Sequence, residues 1–218
     1  MAYSEQKRRV LRALREYIGG HKEGIGLFIA IVSFPFGGLF VEDIRAKFDE
    51  FRTDYVRKCN ELATDPDDIN RGSDVGIEQN DIKIEAKDIC KRASDKANPQ
   101  PLQSRLKHQY ARTLEASREF SEAERIYRQL ASHGYVPSQA RLGAMLVEVS
   151  GRPQEGIYYL EKASKDSSVV AKYHLGRACL KGRGIEENWE RGIKLLTEAE
   201  AGGSISAHVF LEVAKSQR

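Results

Sequence analysis

The stretch from Ala171 to Asn188, AKYHLGRACLKGRGIEEN, followed by RGIKLLTEAEAGGSISA at 191–207, decides the fold. Leu175 and Gly176 sit on one helical segment, Gly182 and Gly184 punctuate a turn, and Gly192, Leu195, Leu196 and Ala199 recur at helical spacing on the next. Two short amphipathic helices joined by a glycine turn form a hairpin that cannot bury its own apolar face. Such a unit needs neighbours of its own kind.

The neighbours are found upstream. ARLGAML (140–146) supplies Leu142 and Gly143, and EGIYYLEKAS (155–164) supplies Gly156, Tyr159, Leu160 and Ala163. Before them Tyr110 and Ala111 open a helix, and EAERIYRQLASHGYVPSQA (122–140) carries Ala123, Ile126, Tyr127, Leu130 and Ala131. Tyr110, Leu142 and Leu175 are 32 and 33 residues apart, and Ala123, Gly156 and Gly192 are 33 and 36 apart. A period in this range is the signature of stacked helix hairpins. Small residues let paired helices approach, and large ones three or four positions on fill the space between hairpins. Ala140, Ala171 and Ala207 close the three units, and SAHVFLEVAKSQR (206–218) is expected to cap the stack with a polar outer side.

These residues resemble the Sel-one-like repeat of the tetratricopeptide superfamily, whose pattern runs A..LG..Y..G.GV...D...A..W..KAA..G. The likeness covers about residues 104–212. The chain departs from the pattern at Cys179, where tyrosine is usual, at Gly192, where alanine is usual, and in the second unit, which lacks the G.G turn. The resemblance implies an all-α solenoid of three hairpins (104–218) that docks a protein or peptide. By analogy with tetratricopeptide solenoids, Arg112, Arg141, Tyr173, Arg177 and Lys181 would line a concave face suited to an acidic or aromatic segment. The alternative for these five is an ordinary solvated helix face.

Composition agrees with an ordinary folded domain. Charged residues make up 31% and hydrophobic ones 40%, and 35 basic against 32 acidic residues leave a net charge of +3. That balance does not point to nucleic acid, where a clustered basic face would be expected, and charge alone names no partner. Residues 1–23 form a basic amphipathic segment with six Lys or Arg. From Gly24 to Val41 eighteen residues carry no charge, and at about 1.5 Å per residue they span roughly 27 Å, near the thickness of a bilayer core. This stretch reads as a membrane anchor, with a buried hydrophobic helix or glycine-rich core loop as the alternative. The cations ahead of it outnumber Arg45, Lys47 and Arg52 behind it, which favours a cytoplasmic N-terminus and an extracytoplasmic, periplasm-like location for the repeats.

Residues 42–103 complete the chain's plan. Helical spacing covers 42–63 and 82–96, separated by a polar run from Asp65 to Gly76. Cys59 and Cys90 flank that run, and Cys179 makes an odd third. The segment from Cys59 onward resembles the one preceding Sel-like repeats in some exported bacterial proteins, and that resemblance implies a Cys59–Cys90 bridge; two unpaired thiols in a cytosolic adaptor or co-chaperone are the alternative. Cys179 is expected to pack inward as a small core residue.

No catalytic, cofactor or metal constellation stands out. His21, His108, His133, His174 and His208 stand singly, and no HExxH or CxxC occurs. Asp65, Asp67 and Asp68 lack the glutamate that would complete a calcium hand, and Asp67 and Asp68 read as loop and cap residues. Some cysteine-rich Sel-like proteins act on β-lactams or cell-wall components, but that branch carries a cysteine pair in every repeat. This chain has one repeat cysteine, which argues for a scaffold rather than an enzyme.

Overall fold

The computed structural model describes residues 54–66, 68, 76–95 and 102–216. They fall within one compact unit, Phe51–Arg218. Residues 1–23 and the candidate anchor at 24–41 lie outside the described residues. Among the described residues no helix is long and apolar enough to cross a membrane.

Helix α1 covers 54–63. A single 3-10 turn at Gln79–Asp81 precedes α2 (Ala86–Ser94), which is shorter than the 82–96 expected from sequence. Seven helices follow: α3 (Leu102–Ala116), α4 (Phe120–Ser132), α5 (Val136–Glu148), α6 (Pro153–Lys165), α7 (Val169–Lys181), α8 (Trp189–Ala201) and α9 (Ile205–Ser216). Local chemistry sets their ends. Pro137 and Pro153 sit in first turns, where a missing N–H costs nothing. Ser168 accepts from the Ala171 N–H at 3.1 Å and Asn188 from the Arg191 N–H at 2.9 Å, each satisfying a donor that the first helical turn leaves open. Gly182 closes α7 with a left-handed φ of 59°, a conformation that glycine adopts without a Cβ clash.

The helices pair as α3/α4, α5/α6 and α7/α8, and each hairpin packs on the next through α4–α5, α6–α7 and α8–α9. The three expected hairpins are therefore present and in series. Small residues lie where the sequence spacing put them. A Cβ on Gly143 would meet the Gly156 carbonyl at 2.8 Å, and one on Gly176 would meet Leu196 Cγ at 2.8 Å. The first hairpin solves the same contact with Ala111 and Ala123, both fully buried.

The expected cap is polar only in part. Ala207, Leu211 and Ala214 of α9 face the stack, and the outer side carries Ile205, Val209 and Val213, 72%, 57% and 48% exposed, beside the exposed polar residues Ser206, His208, Glu212, Lys215 and Ser216. The cause is plain in the spacing: the three are four residues apart and share one face of the helix.

Ahead of the repeats, Cys59 and Cys90 are joined as a disulfide between α1 and α2. Both are fully buried in a small cluster with Ala63, Ala93 and Leu106, so the bridge is part of the core that seats α1 and α2 on α3. Cys179 is a buried free thiol, as its position on α7 implied.

Candidate functional site

The described residues hold two polar regions: a buried network around α3, and an open groove along α5 and α7.

The network centres on Asp65, which is 1% exposed. It follows α1 directly, so the fold of the α1–α2 segment drives its carboxylate into the stack. His108 Nε2 lies 2.8 Å from Asp65 Oδ2 and, facing an acceptor-only carboxylate, carries the proton it donates. His108 Nδ1 lies 2.8 Å from the Ser138 hydroxyl. Arg112 and Arg141 each place Nε 3.4 Å from the same Asp65 oxygen. Burial opposes ionisation of Asp65, but the two guanidinium groups and the His108 hydrogen bond together outweigh it. The carboxyl is held well below its usual range.

Arg112 does more than neutralise a charge. Its NH1 donates to the Ala63 carbonyl at 3.0 Å, its NH2 to the Ile77 carbonyl, and its Nε to Gln79 Oε1 at 3.1 Å. Gln79 in turn donates to the Arg112 carbonyl at 3.0 Å. One side chain on α3 thus satisfies backbone groups on both sides of the polar run, groups that would otherwise be buried without partners. Gln109 adds bonds to Asn60 at 3.2 Å and Thr64 at 3.1 Å. Asp68 accepts from the Tyr135 hydroxyl, so it serves to pin the loop.

This placement corrects the reading of two candidate partner-binding residues. Arg112 is fully buried and Arg141 is 6% exposed. They hold this chain's own carboxylate instead of facing solvent, because Asp65 reaches them from 47 and 76 residues away in sequence. Asp65, His108 and Ser138 line up in the order of a hydrolase triad, yet Ser138 is fully buried. A hydroxyl without access to solvent meets no dissolved substrate, so the trio serves as structure. Among the described residues no group of His, Cys, Asp and Glu could hold a metal ion.

The open region is a groove of roughly 360 Å³. It is lined by Met145 and Glu148 from α5, Tyr173 and Arg177 from α7, Gln79 and Asn80 ahead of α2, and the Gly202–Ser204 turn. Arg177 NH1 pairs with Glu148 at 2.8 Å, and its guanidinium lies 5.3 Å from the Tyr173 ring centre and 5.4 Å from that of Phe210. Such stacking orients the fork and adds cation–π attraction. The His174 hydrogen bond and Arg177 hold the Glu148 carboxyl below its usual range, while burial pushes the His174 imidazole down. Arg177 Nε is buried and has no acceptor. Lys181 sits one turn further on, 5.5 Å from the Phe210 ring and outside the groove's lining.

Of the five residues named from sequence, the structure brings Tyr173, Arg177 and Arg141 into the lining of the groove, buries Arg112 fully and leaves Lys181 outside the lining. Glu148 and Gln79, which line the groove, and Phe210, which stacks on Arg177, are the residues the sequence reading missed. Glu148 and Phe210 each needed the packing of one hairpin on the next to be seen.

The fold class is thus an α-solenoid of helix hairpins with a groove along its first helices. Two solved structures are similar to it. One is a protective antigen present in uropathogenic Escherichia coli strains and displaying an SLR fold, with a TM-score of 0.49 and 20% identity over 59% of this chain and 28% of its own. The other is a Sel1 repeat protein from Oxalobacter formigenes, with a TM-score of 0.48 and 18% identity over 92% of this chain and 72% of its own. The chain therefore covers 28% of the length of the first. No protein-family model matches the chain, and no curated protein matches it.

Proposed function

We propose that the chain is a docking scaffold whose α5/α7 groove receives an extended segment of a partner protein. The observation that carries this reading is the groove itself, where polar and apolar groups converge. Tyr173, Met145 and Val149 offer apolar contact for an aromatic or aliphatic side chain, and Asn80 and Ser206 offer neutral hydrogen-bonding groups to the backbone of a bound segment. The charges of Arg177 and Arg141 already meet Glu148 and Asp65. Recognition therefore rests on shape, stacking and neutral hydrogen bonds more than on an acidic partner.

Features outside the groove support a place for the scaffold. The uncharged stretch 24–41 supports a membrane tether, the cations ahead of it support a cytoplasmic N-terminus, and the Cys59–Cys90 bridge supports an oxidising, extracytoplasmic compartment for the repeats. Retention in a carbonate-washed membrane pellet is the expected result, and full recovery in the supernatant removes the tether.

A photo-crosslinking amino acid tests the groove. Val149 lines it and is 50% exposed, whereas Tyr158 lies on the second helix of the same hairpin and is 62% exposed. In native membranes, position 149 is expected to yield a discrete adduct that Tyr173→Ala weakens, and position 158 is not. Equal adducts from both positions would rule the groove out.

A further inference from the structure

We infer that α9 is a self-association surface, on which a second copy of this chain packs its own α9 in antiparallel fashion around Val209. The repeat register shows what the face is for. Counting back 36 and then 33 residues, Ile205, Val209 and Val213 correspond to Val169, Tyr173 and Arg177 on α7 and to Val136, Ala140 and Ala144 on α5. On α5 this face is covered, with Val136 and Ala140 packed in a cluster with Ala171 and Leu175. On α7 it is covered as well, Val169 and Tyr173 packing against the cluster of Leu196, Ala199, Ala207 and Leu211. On α9 the same face carries three apolar branched side chains, and nothing among the described residues covers them.

A further hairpin of the same kind is a poor fit for this helix. The position of close approach, Ala111, Gly143 and Gly176 in the three hairpins, is Glu212 on α9. At Gly143 and Gly176 a mere Cβ would already meet neighbours at 2.7 and 2.8 Å. The long side chain of Glu212 keeps a following second helix from docking as α6 and α8 do.

A second copy fits better. The stripe is symmetric in character, one branched residue lying one turn on either side of Val209. A two-fold axis through Val209 sets Val209 against Val209 and each Ile205 against the other copy's Val213, the self-complementary arrangement that a two-fold interface requires. In that register Glu212 faces the second copy's Ser206 and Lys215 faces its Gly203, so no like charges oppose one another. Three residues from one twelve-residue helix are a small contact beside the ~800 Å² per partner of a standard interface. The association is accordingly weak and concentration-dependent.

Sedimentation velocity of the full chain tests this over a roughly hundredfold concentration range. The expected result is a shift from monomer to dimer that Val209→Glu moves to at least about tenfold higher concentration, with helicity by circular dichroism unchanged because the site is on the surface. Val209→Cys is expected to form a cross-linked dimer under mild oxidation, whereas Tyr158→Cys on α6 does not. A monomer at every concentration, a dimer indifferent to Val209→Glu, or equal cross-linking from positions 209 and 158 would overturn the proposal.

Discussion

The junction between α3 and the α1–α2 segment and the junctions inside the hairpins solve one problem with opposite chemistry. Inside the hairpins the helices meet through Gly143 and Gly156, and through Gly176 and Gly192, with Leu160 and Leu196 filling the remaining space. At the α3 end the first-helix face carries His108 and Arg112 where α5 carries Ala140 and Ala144, and it is closed by Asp65 and backbone carbonyls instead of side-chain carbon. Apolar junctions tolerate approximate geometry; a buried ionic one does not, because removing either partner leaves a charge without water or counter-ion. The polar junction thus accepts one segment in one position, and the disulfide ties that segment to itself.

The largest difference between the two regions should appear on removing the carboxylate. Asp65→Ala leaves Arg112 and Arg141 buried without it, and a loss of about 3–5 kcal/mol in urea unfolding is expected. The pH dependence has the same origin. Because the folded-state pKa of Asp65 is depressed, its contribution is complete above the unfolded carboxylate value of ~4 and is lost as pH falls from there towards the folded value. Asp65→Asn should flatten that part of the acid-unfolding curve.

Next in size is the bridge. Removing it with paired Cys59→Ala and Cys90→Ala substitutions frees a loop defined by a sequence separation of 31, which the chain-entropy model values at roughly 3–4 kcal/mol. Hydrogen exchange should rise first in 54–63 and Ala86–Ser94 while α5 to α8 keep their protection. A uniform rise through all helices would merge the two regions into one cooperative block.

The smallest effect falls on the apolar side. Gly176→Ala gains up to about 1 kcal/mol of helix propensity but drives a Cβ to 2.8 Å from Leu196 Cγ and 3.0 Å from the Gly192 carbonyl. A net loss of about 1–3 kcal/mol is expected. Restoring stability by pairing it with Leu196→Ala would be inconsistent with a backbone-limited contact, since the Gly192 carbonyl remains in the way.

The hairpins were legible because their signal is periodic and local: a small residue and a leucine recur every 32 to 36 positions, and stacking follows from them. The groove was half legible. Tyr173 and Arg177 lie on first-helix positions that a solenoid presents to its groove, but their neighbours Glu148 and Phe210 come from the adjacent repeats. Arg112 and Arg141 misled because a charged residue on an amphipathic helix normally faces water. The sign that α3 is different was present in His108, Gln109, Arg112 and Thr113, four polar residues on the side of the helix next to Leu106 and Leu114, all of them buried. What could not be read was Asp65, since nothing in a loop of aspartates marks the one that crosses to a helix more than forty residues away. The apolar stripe of α9 is legible in the four-residue spacing of Ile205, Val209 and Val213, which lies among the polar residues of the cap.

Asp65 and Arg112 act as a coupled pair that fastens the α1–α2 segment onto the solenoid. A double-mutant cycle in urea with Asp65→Asn, Arg112→Met and both together measures that coupling. The two single variants are each expected to lose several kcal/mol and the double variant to lose clearly less than their sum, a coupling of at least about 1.5 kcal/mol. Losses that simply add, or an Asp65→Asn variant as stable as the parent, would contradict it.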